Sequence, residues 1–150
     1  MLNINGIAHI ALSVKNIKKS KAFYKKLLPY LGLKLIHDGD ESFYHIGSRT
    51  GIMIQQIKND KKSSNFNQNN IGLHHLCFRA RKKEDIDKIN DKLLEMKAHI
   101  ERGPIEGPWA PGYYYILFED PDGIRLEVNY VPGQGLLNEN TTFNSNNDYL

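Results

Sequence analysis

The strongest constraint on this chain is an internal repeat in which each copy opens on a histidine. Residues 9–14 read His9-Ile10-Ala11-Leu12-Ser13-Val14, and residues 75–80 read His75-Leu76-Cys77-Phe78-Arg79-Ala80. Both alternate apolar with small or polar side chains, the period of a strand with one buried face, and both run into an amphipathic helical pattern. The copies close alike, on Gly51-Ile52-Met53-Ile54-Gln55 and on Gly123-Ile124-Arg125-Leu126-Glu127. Each copy thus offers an imidazole near its start and an amide or carboxylate near its end. Two such halves facing each other would gather four donors suited to a divalent metal.

Each copy predicts the order β-α-β-β-β. In the first, a strand over residues 7–14 leads to Asn16, the N-cap of a helix carrying Ile17, Phe23, Tyr24, Leu27 and Leu28. Pro29 and Gly32 end that helix. Strands follow over 33–37, 42–46 and 51–57, with a turn at Asp38-Gly39-Asp40. In the second, a strand over 71–80 precedes a helix over 84–97 with Ile86, Ile89, Leu93 and Met96 on one face. Strands over 98–102, 113–119 and 124–130 complete it, the last two joined by the tight turn Asp120-Pro121-Asp122-Gly123. The asymmetry is an excursion over 103–112 containing Pro104, Pro108, Trp109 and Pro111.

The expected organisation is one α+β domain over residues 1–150: module 1–57, linker 58–70, module 71–131 and tail 132–150. The linker is polar, rich in Lys, Ser and Asn, and expected to be mobile. The Asn-rich tail is expected to drape on the surface or stay partly disordered. A chain of 150 residues is long enough to bury a real core.

Charge and cysteine usage exclude several classes. The 20 basic and 17 acidic residues leave +3, too little to argue for nucleic acid. Lys15, Lys18, Lys19, Lys21, Lys25 and Lys26 cluster on the first helix, as a solvated outer face does. Cys77 is the sole cysteine, so no internal disulfide forms and a reducing, cytoplasmic setting is expected. Residues 1–5 are too short and polar for a signal peptide, and no apolar run approaches membrane-spanning length. The expected partner is a small molecule, with neither nucleic acid nor membrane.

Strand parity sharpens the metal argument. If Ile10, Leu12 and Val14 pack on the helix, His9, Ala11 and Ser13 face the other way. By the repeat, His75, Cys77 and Arg79 also face away from their helix, as do Met53 and Gln55, and Arg125, Glu127 and Asn129. All four candidate donors, His9, Gln55, His75 and Glu127, therefore lie on non-helix faces. Parity also separates the adjacent histidines: His75 points with the donors, while His74 is expected to pack near the second helix.

These residues resemble the vicinal oxygen chelate superfamily, which includes glyoxalase I, bleomycin-resistance proteins, fosfomycin-modifying thiol transferases, methylmalonyl-CoA epimerases and extradiol dioxygenases. The resemblance spans residues 7–131 and rests on HIALSV, on Phe23-Tyr24 and Leu27-Leu28, on GLHHLCFRA and on EDPDGIRLEV. It implies two βαβββ modules whose sheets form an open, eight-stranded, barrel-like cleft with a metal at its floor. Carried over by position, the ligands fall on His9, His75 and Glu127, with Gln55 at the fourth place. The set His, Gln, His, Glu and the GLHH segment are similar to methylmalonyl-CoA epimerases, whereas EDPDG is more typical of the glyoxalase and resistance-protein branches.

The leading reading that the resemblance implies is a metal-dependent lyase or isomerase that stabilises an enolate or enediolate of a vicinal-oxygen substrate. Zn, Ni, Co, Mn or Fe suits the donors. Glu127 is the candidate catalytic base, since an amide such as Gln55 has no useful basicity. His45 and Tyr115 are candidates for a second acid or base lining the substrate. Arg79 and Arg125 are candidates for an anionic group, with internal ion pairs as the alternative. Trp109, with Tyr113 and Tyr115, covers the cleft mouth, or packs the loop or a dimer contact. A methylmalonyl-CoA-epimerase-like isomerase, a non-catalytic resistance-type binding protein and an Fe(II) dioxygenase remain alternatives. The resemblance also implies a homodimer.

Overall fold

The computed structural model describes residues 2–58, 65–139 and 141–143. The first module runs β1 (His9–Val14), α1 (Ile17–Tyr30), β2 (Lys34–Asp38), β3 (Ser42–Gly47) and β4 (Thr50–Gln56). The second repeats it as β5 (Leu76–Arg79), α2 (Glu84–Glu95), β6 (His99–Glu106), β7 (Tyr114–Glu119) and β8 (Arg125–Tyr130). The sheets have the same strand order, β1-β4-β3-β2 and β5-β8-β7-β6. In each, the first and last strands of the module pair in parallel and the others antiparallel. This is an α+β fold of two βαβββ modules with open four-stranded sheets. Two compact units divide between Phe66 and Asn67 along the chain.

The helices form where the sequence supplies a cap and an apolar stripe. The Asn16 side chain accepts the Lys18 and Lys19 N–H groups at 3.0 and 3.1 Å, satisfying two donors that no helical carbonyl can reach. Ile17, Phe23, Tyr24, Leu27 and Leu28 are buried at helical spacing, over Leu12, Val14, Phe43, Ile52 and Ile54 of the sheet. In α2, Ile86, Ile89 and Leu93 play the same part, and Glu84, Asp85 and Asp87 complement the positive end of the helix dipole. Both helices stop the same way. Leu33 N–H donates to Leu28 O and Ala98 N–H to Leu93 O, each at 2.9 Å, with Gly32 (φ 87°) and Lys97 (φ 55°) left-handed just before.

Three segments differ from expectation. β5 starts at Leu76 rather than residue 71, so His75 sits on the approach to the strand. β6 continues to Glu106, because Gly103 (φ 95°) bulges the strand through register shifts on either side of Arg102 and lets pairing resume at Ile105. The excursion thereby shrinks to residues 107–113. Of the linker, residues 59–64 lie outside the described residues, and residues 65–70 carry only a turn. The tail holds a short 3-10 turn, Gly135–Leu137, while residues 140 and 144–150 lie outside the described residues. No helix among the described residues is long and apolar enough to cross a membrane.

Candidate metal centre

Glu127 lies on the central strand β8, opposite Cys77 on one side and Leu117 on the other. It therefore shares the non-helix face with Cys77, Tyr115 and Leu117. The loop over residues 107–113 folds back across this face, and Trp109, Ala110 and Tyr113 pack with Tyr115 and Leu117. The aromatic rings meet edge to face, with centroids 5.1 Å (Trp109–Tyr113), 5.2 Å (Trp109–Tyr115) and 5.7 Å (Tyr113–Tyr115) apart. Glu127 is left with 0% exposure. A carboxylate under aromatic rings is costly unless donors meet it. Here Oε1 accepts a short hydrogen bond from the Tyr113 hydroxyl and a longer one from the Cys77 thiol at 3.4 Å. The Tyr113 oxygen in turn accepts from Asn129 Nδ2 at 2.8 Å.

The other oxygen of Glu127, Oε2, lies 3.5 Å from His75 Nε2. His75 Nδ1 is hydrogen-bonded to His74 Nδ1 at 2.8 Å, which leaves Nε2 as the nitrogen turned to the carboxylate. Burial, then the neighbouring His74 and Arg125, hold the His75 pKa below its ordinary value. The ring is thus neutral near pH 7, the form a metal requires. His74 does not simply pack near the helix: its ring stands edge to face against His75, centroids 5.1 Å apart, and orients it. The Cys77 thiol is pushed up by desolvation and then by the Glu127 charge, and so stays protonated.

In the first module, His9 is exposed and pairs in register with Gly51, Ala11 with Met53, and Ser13 with Gln55. In the second, Cys77, two residues after His75, pairs with Glu127. The position equivalent to Glu127 is therefore Met53, and Gln55 corresponds to Asn129. Gln55 shares the face and sits two residues, about 7 Å, further along its strand than the position equivalent to Glu127. The cause is hairpin length: Gly47 pairs with Thr50 across a two-residue turn, whereas Glu119 pairs with Arg125 across five residues. Gly123 belongs to its turn and Gly51 to its strand, so the two glycines that align the repeat by eye are not equivalent.

The remaining sequence candidates separate. His45 pairs with Ile52 in register and is 0% exposed. It lies on the helix face against Phe43, ring centroids 5.9 Å apart, and not on the face of Gln55. Arg125 Nη2 donates to Glu101 Oε1 at 3.1 Å and its Nε lies 3.7 Å from Glu119 Oε1, so its guanidinium is engaged in internal ion pairs. Trp109 and Tyr115 are 4% and 2% exposed and pack the loop rather than forming a rim. Tyr113, not Tyr115, reaches Glu127. Arg79 is exposed and shares the face of Cys77. A separate group, His99, Glu101 and Glu119, places three donor atoms within 4.8 Å of one another. It is largely exposed, and Arg125 already supplies positive charge there.

The sequence pattern of the Glyoxalase/Bleomycin resistance protein/Dioxygenase superfamily matches residues 6–128. The chain is 25% identical over 136 residues to the mitochondrial methylmalonyl-CoA epimerase of Homo sapiens, spanning 84% of this chain and 74% of that protein. It is 27% identical over 128 residues to the metallothiol transferase FosB of Lysinibacillus sphaericus, spanning 85% and 84% respectively. The crystal structure of a candidate glyoxalase from Bacillus halodurans superposes with a TM-score of 0.77 at 26% identity, covering 85% of this chain and 96% of that one.

Proposed function

The chain belongs to the Glyoxalase/Bleomycin resistance protein/Dioxygenase superfamily, and within it we propose a metal-dependent lyase or isomerase acting on a small substrate with neighbouring oxygens. The observation that carries this reading is the 3.5 Å approach of His75 Nε2 to Glu127 Oε2. Two ligands held ~2.1 Å from one ion stand about 3.0–3.4 Å apart in octahedral or tetrahedral geometry, so the pair fits a shared divalent cation. His9 supplies the third donor, from the same chain or from a partner copy in a homodimer. Its support is its place at the opening of the first module, matching His75 in the second.

Met53 is the register equivalent of Glu127 in the first module, and a thioether is a poor partner for a hard divalent ion. The proposed set is therefore His9, His75 and Glu127, with Gln55 left out. Three protein ligands keep positions open for substrate oxygens. Relatives that act as an epimerase and a metallothiol transferase support a metal-assisted reaction on a small molecule. A bound Zn, Ni, Co, Mn or Fe ion would act as a Lewis acid on a substrate oxygen, stabilising the negative charge that develops there. Glu127 takes the proton from the adjacent carbon and returns it. Arg79, exposed on the same sheet face, is placed to meet an anionic group of the substrate.

The test is metal content by elemental mass spectrometry on protein purified without an affinity tag, beside His9→Ala and Glu127→Gln. Near-stoichiometric metal that drops in both variants is expected. Iron would turn the assignment to oxygen chemistry, while zinc, nickel or cobalt supports proton transfer. No metal, even after refilling with each ion, would contradict the proposal and favour a ligand-sequestering protein.

A further inference from the structure

We propose that Tyr113 is a positioning residue for the metal centre: its hydroxyl holds Glu127 so that one carboxylate oxygen alone faces the ion. The inference rests on the metal-site reading above and extends it to a residue outside the ligand set. Oε1 accepts from the Tyr113 hydroxyl and from Cys77, while Oε2 looks toward His75 Nε2. A carboxylate with one oxygen occupied by donors presents the other as a single-point ligand. Without the hydroxyl it is free to rotate or to chelate through both oxygens.

The direction of the Tyr113 proton follows from its neighbours. Asn129 Nδ2 donates to the phenol oxygen at 2.8 Å. An amide N–H has only donors to offer, so it occupies a lone pair, and the one hydroxyl proton goes to Glu127. The phenol is itself held firmly. Tyr113 N–H donates to Ala110 O at 3.1 Å, and its carbonyl accepts Gly107 N–H at 2.9 Å. Its ring packs between Trp109 and Tyr115. Gly107 permits this closure, since a β-carbon there would run into the Trp109 ring. Asn129, Tyr113 and Glu127 form a chain in which each group's orientation is set by the one before it.

The experiment compares cobalt(II) affinity and the visible spectrum of the cobalt-loaded protein in wild type, Tyr113→Phe, Asn129→Ala and Tyr114→Phe. Tyr114 is the adjacent tyrosine on the opposite face, with its hydroxyl on Asp87, and controls for loss of a phenol oxygen as such. Tyr113→Phe is expected to weaken cobalt binding about 10–100-fold and to alter the ligand-field bands, with a lower metal-free Tm because the buried carboxylate loses a donor. Asn129→Ala is expected to shift binding in the same direction with the ring packing intact, and Tyr114→Phe to leave both readouts unchanged. Equal affinity and an unchanged spectrum in Tyr113→Phe and Asn129→Ala would overturn the positioning role while leaving the metal site standing. Failure of the wild-type protein to bind cobalt would overturn both, a separate pattern.

Discussion

Tyr44 lies across Gly51: a β-carbon built at Gly51 would run into the hydroxyl and ring of Tyr44. Gly51 is the register partner of His9, so the missing side chain makes room for a phenol beside the proposed ligand. Gly51→Ala must drive Tyr44 out of its place, at about 1–3 kcal/mol of stability. In a Tyr44→Ala background the same change is expected to be near neutral. Chemical denaturation of the four proteins of this double-mutant cycle measures the coupling.

His45 predicts an acid limb in the stability profile. Both its ring nitrogens lack a hydrogen-bond partner among the described residues, and burial, then the Lys25 charge, lower its pKa, against a smaller opposing effect of Asp38. The unfolded chain, with an ordinary histidine pKa near 6.5, therefore binds the proton first as pH falls. Stability from this group is full above pH 6.5, declines below it, and levels off beneath the folded-state pKa. His45→Leu is expected to flatten that limb and to add on the order of 1 kcal/mol at pH 7, by removing an unpaired buried donor. Urea midpoints at pH 7.5, 6 and 5 check both.

Lys97 occupies the left-handed position that Gly32 fills after α1. A side chain there crowds the following carbonyl, at ~1–2 kcal/mol, part of which glycine gives back in unfolded-chain entropy. Lys97→Gly is expected to stabilise the protein by about 0.5–1 kcal/mol, and Gly32→Lys to destabilise it by a similar amount. Thermal unfolding of the two variants reads both signs.

Asp38 is clamped between Lys21 Nζ at 2.8 Å and Lys25 Nζ at 2.6 Å, and hydrogen bonds from these two lysines lower its pKa from 3.8 to about 2. The lowered pKa means that this tie between α1 and β2 is intact above pH 3.8 and lost as pH falls through about 2. Carboxyl carbon NMR is expected to show the low titration in wild type and its return to the ordinary range in Lys21→Ala/Lys25→Ala.

What the sequence revealed, and what it hid, follows from the range of the interactions involved. The cap at Asn16, the apolar stripes of both helices and the alternation around His9 and Glu127 are local patterns, legible without any fold. Gln55 and Glu127 differ in strand register, which depends on hairpin length. Ser48 and Arg49, both at positive φ (48° and 66°), close a two-residue turn that starts β4 earlier than Asp120-Pro121-Asp122-Gly123 lets β8 start. The sequence grouped Tyr113 with Trp109 and Tyr115 at the cleft mouth or in the packed loop. The reach of Tyr113 to Glu127 depends on how residues 107–113 fold back, which no short-range pattern encodes. The same closure buried Trp109, which sequence alone left open between a rim and a packed position.

The central claim is that the ion is held by His9, His75 and Glu127 and not by Gln55. The most direct test is cobalt(II) titration, by calorimetry, of metal-free wild type, His9→Ala, His75→Ala, Glu127→Gln and Gln55→Ala. The account expects each of the first three variants to lose at least about 100-fold in affinity, as loss of one ligand from a three-ligand set should exceed the 10–100-fold effect of an outer partner, with Gln55→Ala like wild type. A loss in Gln55→Ala matching that of Glu127→Gln, or wild-type affinity in His9→Ala, would contradict it.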